Sequence, residues 1–214
     1  MERPDAHFIV MLRDPLEMIP SMHRQQLFNA NEFERDLRNA LSLNDRRAAG
    51  EPIKMRKSYP SDHLAYFQSC ALGWQVSRLF KAVASDRVHI VLYDDLKQSP
   101  ADVLFRVQKF LEITSVSPRK FKKINKAKVR KFPVVDAAVK TVGDWKHRSG
   151  IKTRVGALAW LRAINRKEKP ISELDENLRC EIQARLSEDV ALLGECIKRD
   201  LSNWLGNKSS ASEI

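Results

Sequence analysis

The sequence predicts an α/β protein in which a parallel sheet is flanked by helices. Residues 8–12 form a continuous apolar run, which is typical of a strand covered on both faces in a parallel sheet. Residues 88–93 are rich in β-branched and aromatic side chains and predict a second strand. The stretch between them is predicted to be mainly helical, and a path from strand through helices to strand suits a parallel sheet.

The end of the first predicted strand carries a candidate phosphate site. Arg13 follows the apolar run directly, at the strand end where open α/β sheets place their ligands. Asp14 can cap a helix that begins at Pro15, and Ser21 lies two turns into that helix. The Arg13 guanidinium can grip phosphate oxygens in a bidentate fork, and the Ser21 hydroxyl can complete the contact. The alternative is an N-capped helix beside a salt-bridged arginine.

This stretch resembles the 3'-phosphate-binding motif of the sulfotransferase family, which reads Arg-Asp-Pro and, after a variable stretch, Ser. The matching positions here are Arg13, Asp14, Pro15 and Ser21. The resemblance implies that Arg13 and Ser21 hold the 3'-phosphate of the sulfonate donor 3'-phosphoadenosine-5'-phosphosulfate (PAPS). Met18 stands where the family often has a second arginine.

A second stretch, residues 87–100, looks like the family's second core strand, which ends in Tyr-Glu-Asp-Leu before a helix started by proline. The corresponding residues here are Tyr93, Asp94, Asp95 and Leu96. We interpret the two aspartates as helix-start and turn residues rather than catalytic groups. A helix over residues 100–112 is predicted to follow, with a serine cap and a proline at its first position.

The C-terminal region gives a third match. Apolar residues recur at intervals of three or four and predict one long amphipathic helix over about 175–205. Its ending, Arg-Asp-Leu-Ser-Asn-Trp, is similar to the closing helix of many bacterial sulfotransferases. The apolar stripe predicts core packing rather than chemistry.

The resemblance implies a P-loop NTPase-like sulfotransferase fold, present here as a single domain over residues 1–214 and truncated at its N-terminus. The family's loop for the 5'-phosphosulfate, usually Lys-x-Gly-Thr-Thr or Arg-Ser-Gly-Ser-Thr, has no counterpart, because only six residues precede the histidine that leads into the first strand. The usual general base mostly lies in the same region. We therefore expect the C-terminal two-thirds or more of the fold, with no catalytic residue assigned.

Two functions follow from this expectation. The chain is either a sulfotransferase that transfers a sulfonyl group from PAPS to an acceptor hydroxyl or amine, or a catalytically inactive homologue. The inactive homologue would bind PAPS or its product adenosine-3',5'-bisphosphate (PAP). No acceptor and no oligomeric state is assigned.

The basic segment, residues 119–154, contains thirteen lysine or arginine residues and two aspartates, a local charge of +11 that equals the net charge of the whole chain. Part of it resembles the family's basic loop near Lys-Gly-Arg-x-Tyr/Phe-Pro, which closes over the donor phosphates. The resemblance implies that Lys128 and Arg130 bind there, with Val129 replacing the glycine. The same charge allows a basic polyanion-binding protein as an alternative, although the segment lacks the interleaved aromatic residues that favour nucleic acid.

Composition limits the remaining classes. A chain of 214 residues with 43% apolar and 30% charged residues is typical of a soluble domain. No apolar run approaches 18 residues and no signal peptide is evident, which predicts a cytoplasmic protein without a membrane span. The three cysteines, Cys70, Cys180 and Cys196, lack paired spacing and predict reduced thiols. No cluster has metal-ligand spacing, so no metal is predicted.

The predicted helical stretch between the strands has two parts. Residues 31–48 are polar with sparse apolar positions and predict a mostly exposed helix. A second helix is predicted from residue 61 or 62 to about 83. His23 and His63 are candidate general bases by residue type, and we interpret each as a surface or capping residue.

Overall fold

The structure, a computed structural model, describes residues 6–114, 128–130, 166–168 and 174–206, with only the backbone described for 128–130, 166–168 and Gly206. The described helices and strands are β1 (Phe8–Leu12), α1 (Pro15–Phe28), α2 (Leu37–Ser42), α3 (Asn44–Ala48), α4 (Tyr66–Ser69), α5 (Leu72–Ala82), β2 (Val88–Leu92), α6 (Tyr93–Gln98), α7 (Pro100–Phe110), β3 (Lys128–Arg130), β4 (Arg166–Glu168) and α8 (Glu176–Ile197). Short 3₁₀ helices cover Asp62–Leu64, Ser85–Arg87 and Trp204–Gly206.

The chain divides into two compact units. The first unit comprises Met1–Ile19, Ser69–Ile124 and Leu174–Ile214, and the second comprises Pro20–Gln68 and Asn125–Glu173. The division runs through α1, which therefore contributes residues to both.

The first unit contains the parallel strand pair that the sequence predicts. β1 and β2 run in the same direction, with Phe8 opposite Val88 and Leu12 opposite Leu92. α1 and α7 also begin at the predicted residues, Pro15 and Pro100. The two strands, their direction and the helices that follow them are thus confirmed.

α5 and α8 cover one face of this strand pair. The buried residues of this core are Leu12, Leu72, Val76, Leu92, Val190, Leu193, Leu201 and Trp204. The two helices approach so closely that a Cβ at Gly73 would lie 2.1 Å from the backbone oxygen of Asp189. The Asp189 carboxylate accepts hydrogen bonds from the backbone N–H groups of Gly73 (2.8 Å) and Trp74 (2.9 Å), which lie in the first turn of α5.

The prediction that β1 is covered on both faces is wrong. Val10 and Leu12 contact the core, whereas Ile9 and Met11, which point to the opposite face, are 45% and 57% exposed. α7 lies on that opposite face, where Phe110 stacks on His89 of β2 at 5.1 Å. It covers β2 and leaves this side of β1 open among the described residues.

The predicted C-terminal helix is confirmed at its start and wrong at its end. Asp175 caps α8 by accepting a hydrogen bond from Leu178 N at 3.0 Å. The helix stops at Ile197 because Lys198 adopts a left-handed conformation, with φ 53° and ψ 47°. Residues after it reach the core through a turn, and Leu201 and Trp204 are buried there as the apolar pattern predicts.

In the second unit, the predicted exposed helix over residues 31–48 is wrong. Only α2 and α3 are helical, and residues 31–36 are irregular. Glu32 and Arg47 form a buried bidentate ion pair, and the Tyr66 hydroxyl donates to the Glu32 carboxylate at 3.1 Å. Arg47 also donates to the backbone oxygen of Ile53 at 3.0 Å. This network requires the chain to bend back on itself, which one continuous helix would prevent.

The predicted helix from residue 61 or 62 to about 83 is also divided, into a 3₁₀ turn, α4 and α5. The break between helices is stabilised by side chains from elsewhere in each unit. Asn44 Oδ1 accepts the Phe67 N–H at 3.0 Å, and Asp189 accepts the first N–H groups of α5.

β3 and β4 pair antiparallel in the second unit, with Lys128 opposite Glu168. The rest of the basic segment, outside residues 128–130, lies outside the described residues. Within the part of the chain that the structure describes, no helix has both the length and the apolar composition to cross a membrane.

Candidate functional site

Arg13 and Tyr93 lie side by side at the carboxyl end of the strand pair. Each residue directly follows its strand, and the last residues of the strands, Leu12 and Leu92, are paired. The Arg13 guanidinium carbon lies 4.8 Å from the centre of the Tyr93 ring, and the Lys97 ammonium lies 5.1 Å from it. Two cations therefore flank one aromatic ring at the edge where α/β proteins bind ligands.

Two carboxylates balance these cations. Arg13 Nε donates to Glu17 Oε2 at 3.0 Å, and Glu17 lies in the first turn of α1. Lys97 Nζ lies 3.3 Å from Glu17 Oε1 and 2.7 Å from Asp94 Oδ1. The order of contacts is therefore arginine, glutamate, lysine, aspartate, with the charges alternating.

The surroundings of Asp94 and Lys97 favour their charged forms. Burial opposes the ionisation of Asp94, but the hydrogen bond and the charge of Lys97 outweigh it and lower the pKa of Asp94. Burial likewise opposes protonation of Lys97, and its contacts with Asp94 and Glu17 outweigh it and raise the pKa of Lys97. Both groups are consequently ionised at neutral pH.

Asp14 connects the arginine to the helix. Its Oδ1 accepts the Leu16 N–H at 2.8 Å, and its backbone oxygen accepts the N–H groups of Glu17 and Met18. This confirms the predicted cap. Burial raises the pKa of Asp14, against the opposing effect of hydrogen bonds from the backbone N–H groups of Leu16 and Leu205.

The C-terminal segment, residues 199–205, also contacts these strand ends. The Trp204 indole Nε1 donates to Asp94 Oδ2 at 3.0 Å, and the Arg199 guanidinium donates to both oxygens of Asp95 at 3.2 and 3.3 Å. Asp94 and Asp95 lie in the first turn of α6, as predicted, and they have this additional role in tertiary structure.

The structure describes the other predicted donor-binding residues in less detail than Arg13. Ser21 lies in the second turn of α1 and is half-buried. Met18, at the place where the family often has a second arginine, packs against the core of the first unit. Lys128 and Arg130 lie on β3, where only the backbone is described. Their roles remain predictions.

The two candidate general bases, His23 and His63, differ in environment. His23 is buried, its Nε2 lies 2.8 Å from the backbone oxygen of Glu34, and burial lowers its pKa. His63 is exposed and contacts the Tyr59 ring edge-on at 5.4 Å. The prediction that His23 is a surface or capping residue is therefore wrong as to exposure, because α1 directs this ring into the interior of the second unit.

Comparison with known proteins identifies the family. A family model described as "Sulfotransferase domain" matches residues 1–178, which is most of the chain. The chain belongs to the sulfotransferase family. No curated protein matches it significantly. A sulfotransferase from Alicyclobacillus acidocaldarius, known from a crystal structure, is similar with a TM-score of 0.60 and 18% sequence identity.

That match extends over 94% of this chain and 58% of the Alicyclobacillus chain, so this sulfotransferase-family chain spans somewhat more than half the length of the solved structure. The predicted sulfotransferase fold, with a parallel sheet flanked by helices, is confirmed. Among the described residues, no group of three or more His, Cys, Asp or Glu side chains is arranged to hold a metal ion.

Sequence reasoning missed three contributors to the site. Glu17 lies four residues after Arg13, and this spacing could have indicated their ion pair. Lys97 could not be linked to the site without the register of the two strands. Trp204 lies 110 positions from Asp94, and no local pattern could have joined them.

Proposed function

We propose that this chain is a sulfotransferase domain that binds PAPS and transfers its sulfonyl group to a hydroxyl or amine of an acceptor. Arg13 and Ser21 bind the 3'-phosphate of the donor, and Lys128 and Arg130 contact its phosphates. The observation that supports this most is the location of Arg13, which follows a parallel strand at the ligand-binding edge of a sulfotransferase fold.

The contacts of Arg13 are compatible with phosphate binding. Its side chain is 26% exposed and its partner Glu17 is 41% exposed, so the ion pair between them is of the solvent-accessible kind that contributes little. A phosphate presents more charge than a carboxylate and offers the guanidinium several acceptor oxygens. Phosphate can therefore replace Glu17 at Arg13, while Glu17 keeps its contact with Lys97.

Sulfonyl transfer makes limited demands on the protein. The S–O bond to the 5'-phosphate of PAPS breaks, a bond forms between sulfur and the acceptor oxygen or nitrogen, and the acceptor proton leaves to a base. PAP is the leaving group. The protein must align donor and acceptor, balance the charge of the leaving phosphate and receive the proton. Arg13 and Ser21 serve the first of these tasks, and no residue is assigned to the last.

Donor binding and sulfonyl transfer are separable, and the alternative function is donor binding without transfer. The inactive homologue would keep the contact of Arg13 with the donor and would turn over no acceptor. Binding of polyanions by the basic segment is a further alternative, supported by its charge of +11.

Calorimetric titration of the purified chain with PAP tests the proposal. We expect saturable micromolar binding that Arg13→Ala abolishes and Arg13→Lys weakens, because lysine keeps the charge and loses the fork. Arg78→Ala is the matched control, since Arg78 is exposed on α5 and stacks on Trp74. A folded chain that binds no PAP, or that binds it equally after Arg13→Ala, would refute the donor site.

Transfer is then assayed with sulfur-labelled PAPS and a panel of phenols, alcohols, sugars and amines. Labelled product that disappears in Arg13→Ala supports the enzyme, and PAP binding without turnover of any acceptor supports the inactive homologue. Salt-sensitive binding of DNA or heparin that PAP does not displace would favour the polyanion-binding alternative.

A further inference from the structure

The C-terminal segment, residues 199–205, contacts three acidic residues at the candidate site. Arg199 pairs with Asp95, the Trp204 indole donates to Asp94, and the backbone N–H of Leu205 hydrogen-bonds the Asp14 carboxylate. Asp14 follows β1, and the other two aspartates follow β2. A single segment therefore holds the carboxyl ends of both strands.

The hydrogen bond from Trp204 to Asp94 is not needed for packing the indole ring in the core. The indole ring is buried with Leu201 in the core of the first unit. An indole N–H is a donor only, and when buried it needs an acceptor. Asp94 Oδ2 is that acceptor at 3.0 Å, while the other oxygen of the same carboxylate binds Lys97 at 2.7 Å. The carboxylate is thus fixed from two sides.

Fixing Asp94 also fixes the next members of the network. Lys97 is held by its ion pair with Asp94, and its Nζ lies 3.3 Å from Glu17 Oε1. Glu17 in turn accepts a hydrogen bond from Arg13. Lys97 and Arg13 both contact the Glu17 carboxylate and therefore compete for its charge, and the Arg13 guanidinium lies beside the Tyr93 ring. Without the indole donor, Asp94 can rotate and take Lys97 with it, and Glu17 is left to pair with Arg13 alone.

We propose that the C-terminal segment is part of the donor site, and that Trp204 is a positioning residue that orients Arg13 through Asp94, Lys97 and Glu17. The identity of the ligand of Arg13 rests on the proposed function above. The positioning itself concerns contacts of the unliganded chain and is tested separately from it.

The first measurement compares PAP binding by calorimetry in the wild type, Trp204→Phe and Trp74→Phe. Phenylalanine keeps an aromatic ring and removes the donor, and Trp74 is an exposed tryptophan of the same unit. We expect about three- to tenfold weaker binding for Trp204→Phe, the effect of partly losing one hydrogen bond to a charged group, and no change for Trp74→Phe.

A double-mutant cycle separates positioning from general structural damage. Asp94→Asn removes the negative charge that contacts both the Trp204 indole and Lys97. It should therefore weaken PAP binding about as much as Trp204→Phe does. Adding Trp204→Phe to Asp94→Asn should then cause little further loss, because both changes break one pathway. Fully additive losses, or unchanged binding in both single variants, would overturn the proposal.

The second measurement does not depend on PAP. The Arg13 Nε–H resonance, assigned by its absence in Arg13→Lys, reports the contact with Glu17 in the unliganded chain. We expect Trp204→Phe and Asp94→Asn to shift this resonance and Trp74→Phe to leave it in place. If the wild type binds no PAP, the donor assignment fails and this shift still supports the positioning role. An Arg13 resonance that neither variant moves overturns it.

Discussion

Glu32 and Arg47 form a fully buried bidentate ion pair, with Nη1–Oε2 and Nη2–Oε1 distances of 2.6 and 2.9 Å. Both side chains are inaccessible to solvent, and the pair is completed by the Tyr66 hydroxyl and the backbone oxygen of Ile53. Burial and the adjacent negative charge of Glu32 both raise the pKa of Tyr66. The pair holds together the irregular stretch before α2 and the helix α3.

Removing one partner of the Glu32–Arg47 pair should therefore strongly destabilise the folded protein. Arg47→Met leaves the Glu32 carboxylate buried without its cation, and we expect the free energy of unfolding to fall by about 3–5 kcal/mol. Urea denaturation followed by circular dichroism measures the change. Arg46→Met is the matched control, because Arg46 pairs with Glu51 on the surface, where solvent screens the pair and its loss should change the stability little. Equal effects of the two variants would contradict the buried pair.

Gly73 is required by the close approach of α5 and α8. In Gly73→Ala, the new methyl group would lie 2.1 Å from the Asp189 backbone oxygen and 2.9 Å from the Leu193 nitrogen. Both neighbours are backbone atoms that can move only with the helix, so we expect a destabilisation of about 1–3 kcal/mol or more. Thermal unfolding checks this. Lys81→Ala, at an exposed position of the same helix, should be neutral or slightly stabilising.

Lys198 ends α8 in a left-handed conformation that glycine adopts without steric cost. Its φ of 53° places a non-glycine residue where the Cβ meets the backbone. Lys198→Gly should raise the free energy of unfolding by about 0.5–1 kcal/mol. Lys198→Ala is the comparison, since alanine keeps the Cβ and should show no such gain. Stabilisation by both variants would mean that the lysine charge, rather than the conformation, is responsible.

His23 should make stability dependent on pH below neutrality. Burial lowers its pKa from the usual 6.5, although the Glu34 backbone oxygen and the Glu32 charge act in the opposite direction. As the pH falls, His23 therefore becomes protonated in the unfolded chain before it becomes protonated in the folded protein. The resulting stability is fully present above about pH 6.5 and is lost as pH falls through the folded pKa. Urea denaturation between pH 7.5 and 5 measures the slope.

The matched variants for this prediction are His23→Gln and His63→Gln. The first should flatten the pH dependence, because it removes the buried ring. The second should leave the dependence unchanged, because His63 is exposed. A profile that is the same in all three proteins would assign the pH dependence to other groups.

The parts of the fold that the sequence predicts well are those determined by local patterns. β1, β2 and the starts of α1 and α7 follow from apolar runs, a capping aspartate and prolines at first helical positions. The stretch over residues 31–48 was predicted wrongly because charged residues usually lie at the surface, and a pattern that contains Glu32 and Arg47 gives no sign that they pair in the interior.

In the candidate site, too, some residues are predictable from local sequence patterns, whereas the contacts between distant residues are not. Arg13 and Asp14 could be located because they follow directly from the strand and the helix cap. The contacts of Arg13 with Tyr93 and of Asp94 with Trp204 depend on strand register and on where α8 ends, and both are set by tertiary packing. The apolar pattern does not reveal the end of α8. Leu201 and Trp204 continue the spacing of a helix, although the backbone leaves the helical conformation at Lys198.

The core of the first unit also has a consequence for how the protein is made. Leu12 and Trp204 belong to one buried cluster, and Gly73 is joined to Asp189 across 116 positions of sequence. Contacts of such long range slow folding, because the chain must close large loops before any of them forms. During translation, β1 and β2 emerge long before α8 and cannot bury their apolar face against it. We therefore expect this unit to become protease-resistant only after α8 and Trp204 have left the ribosome.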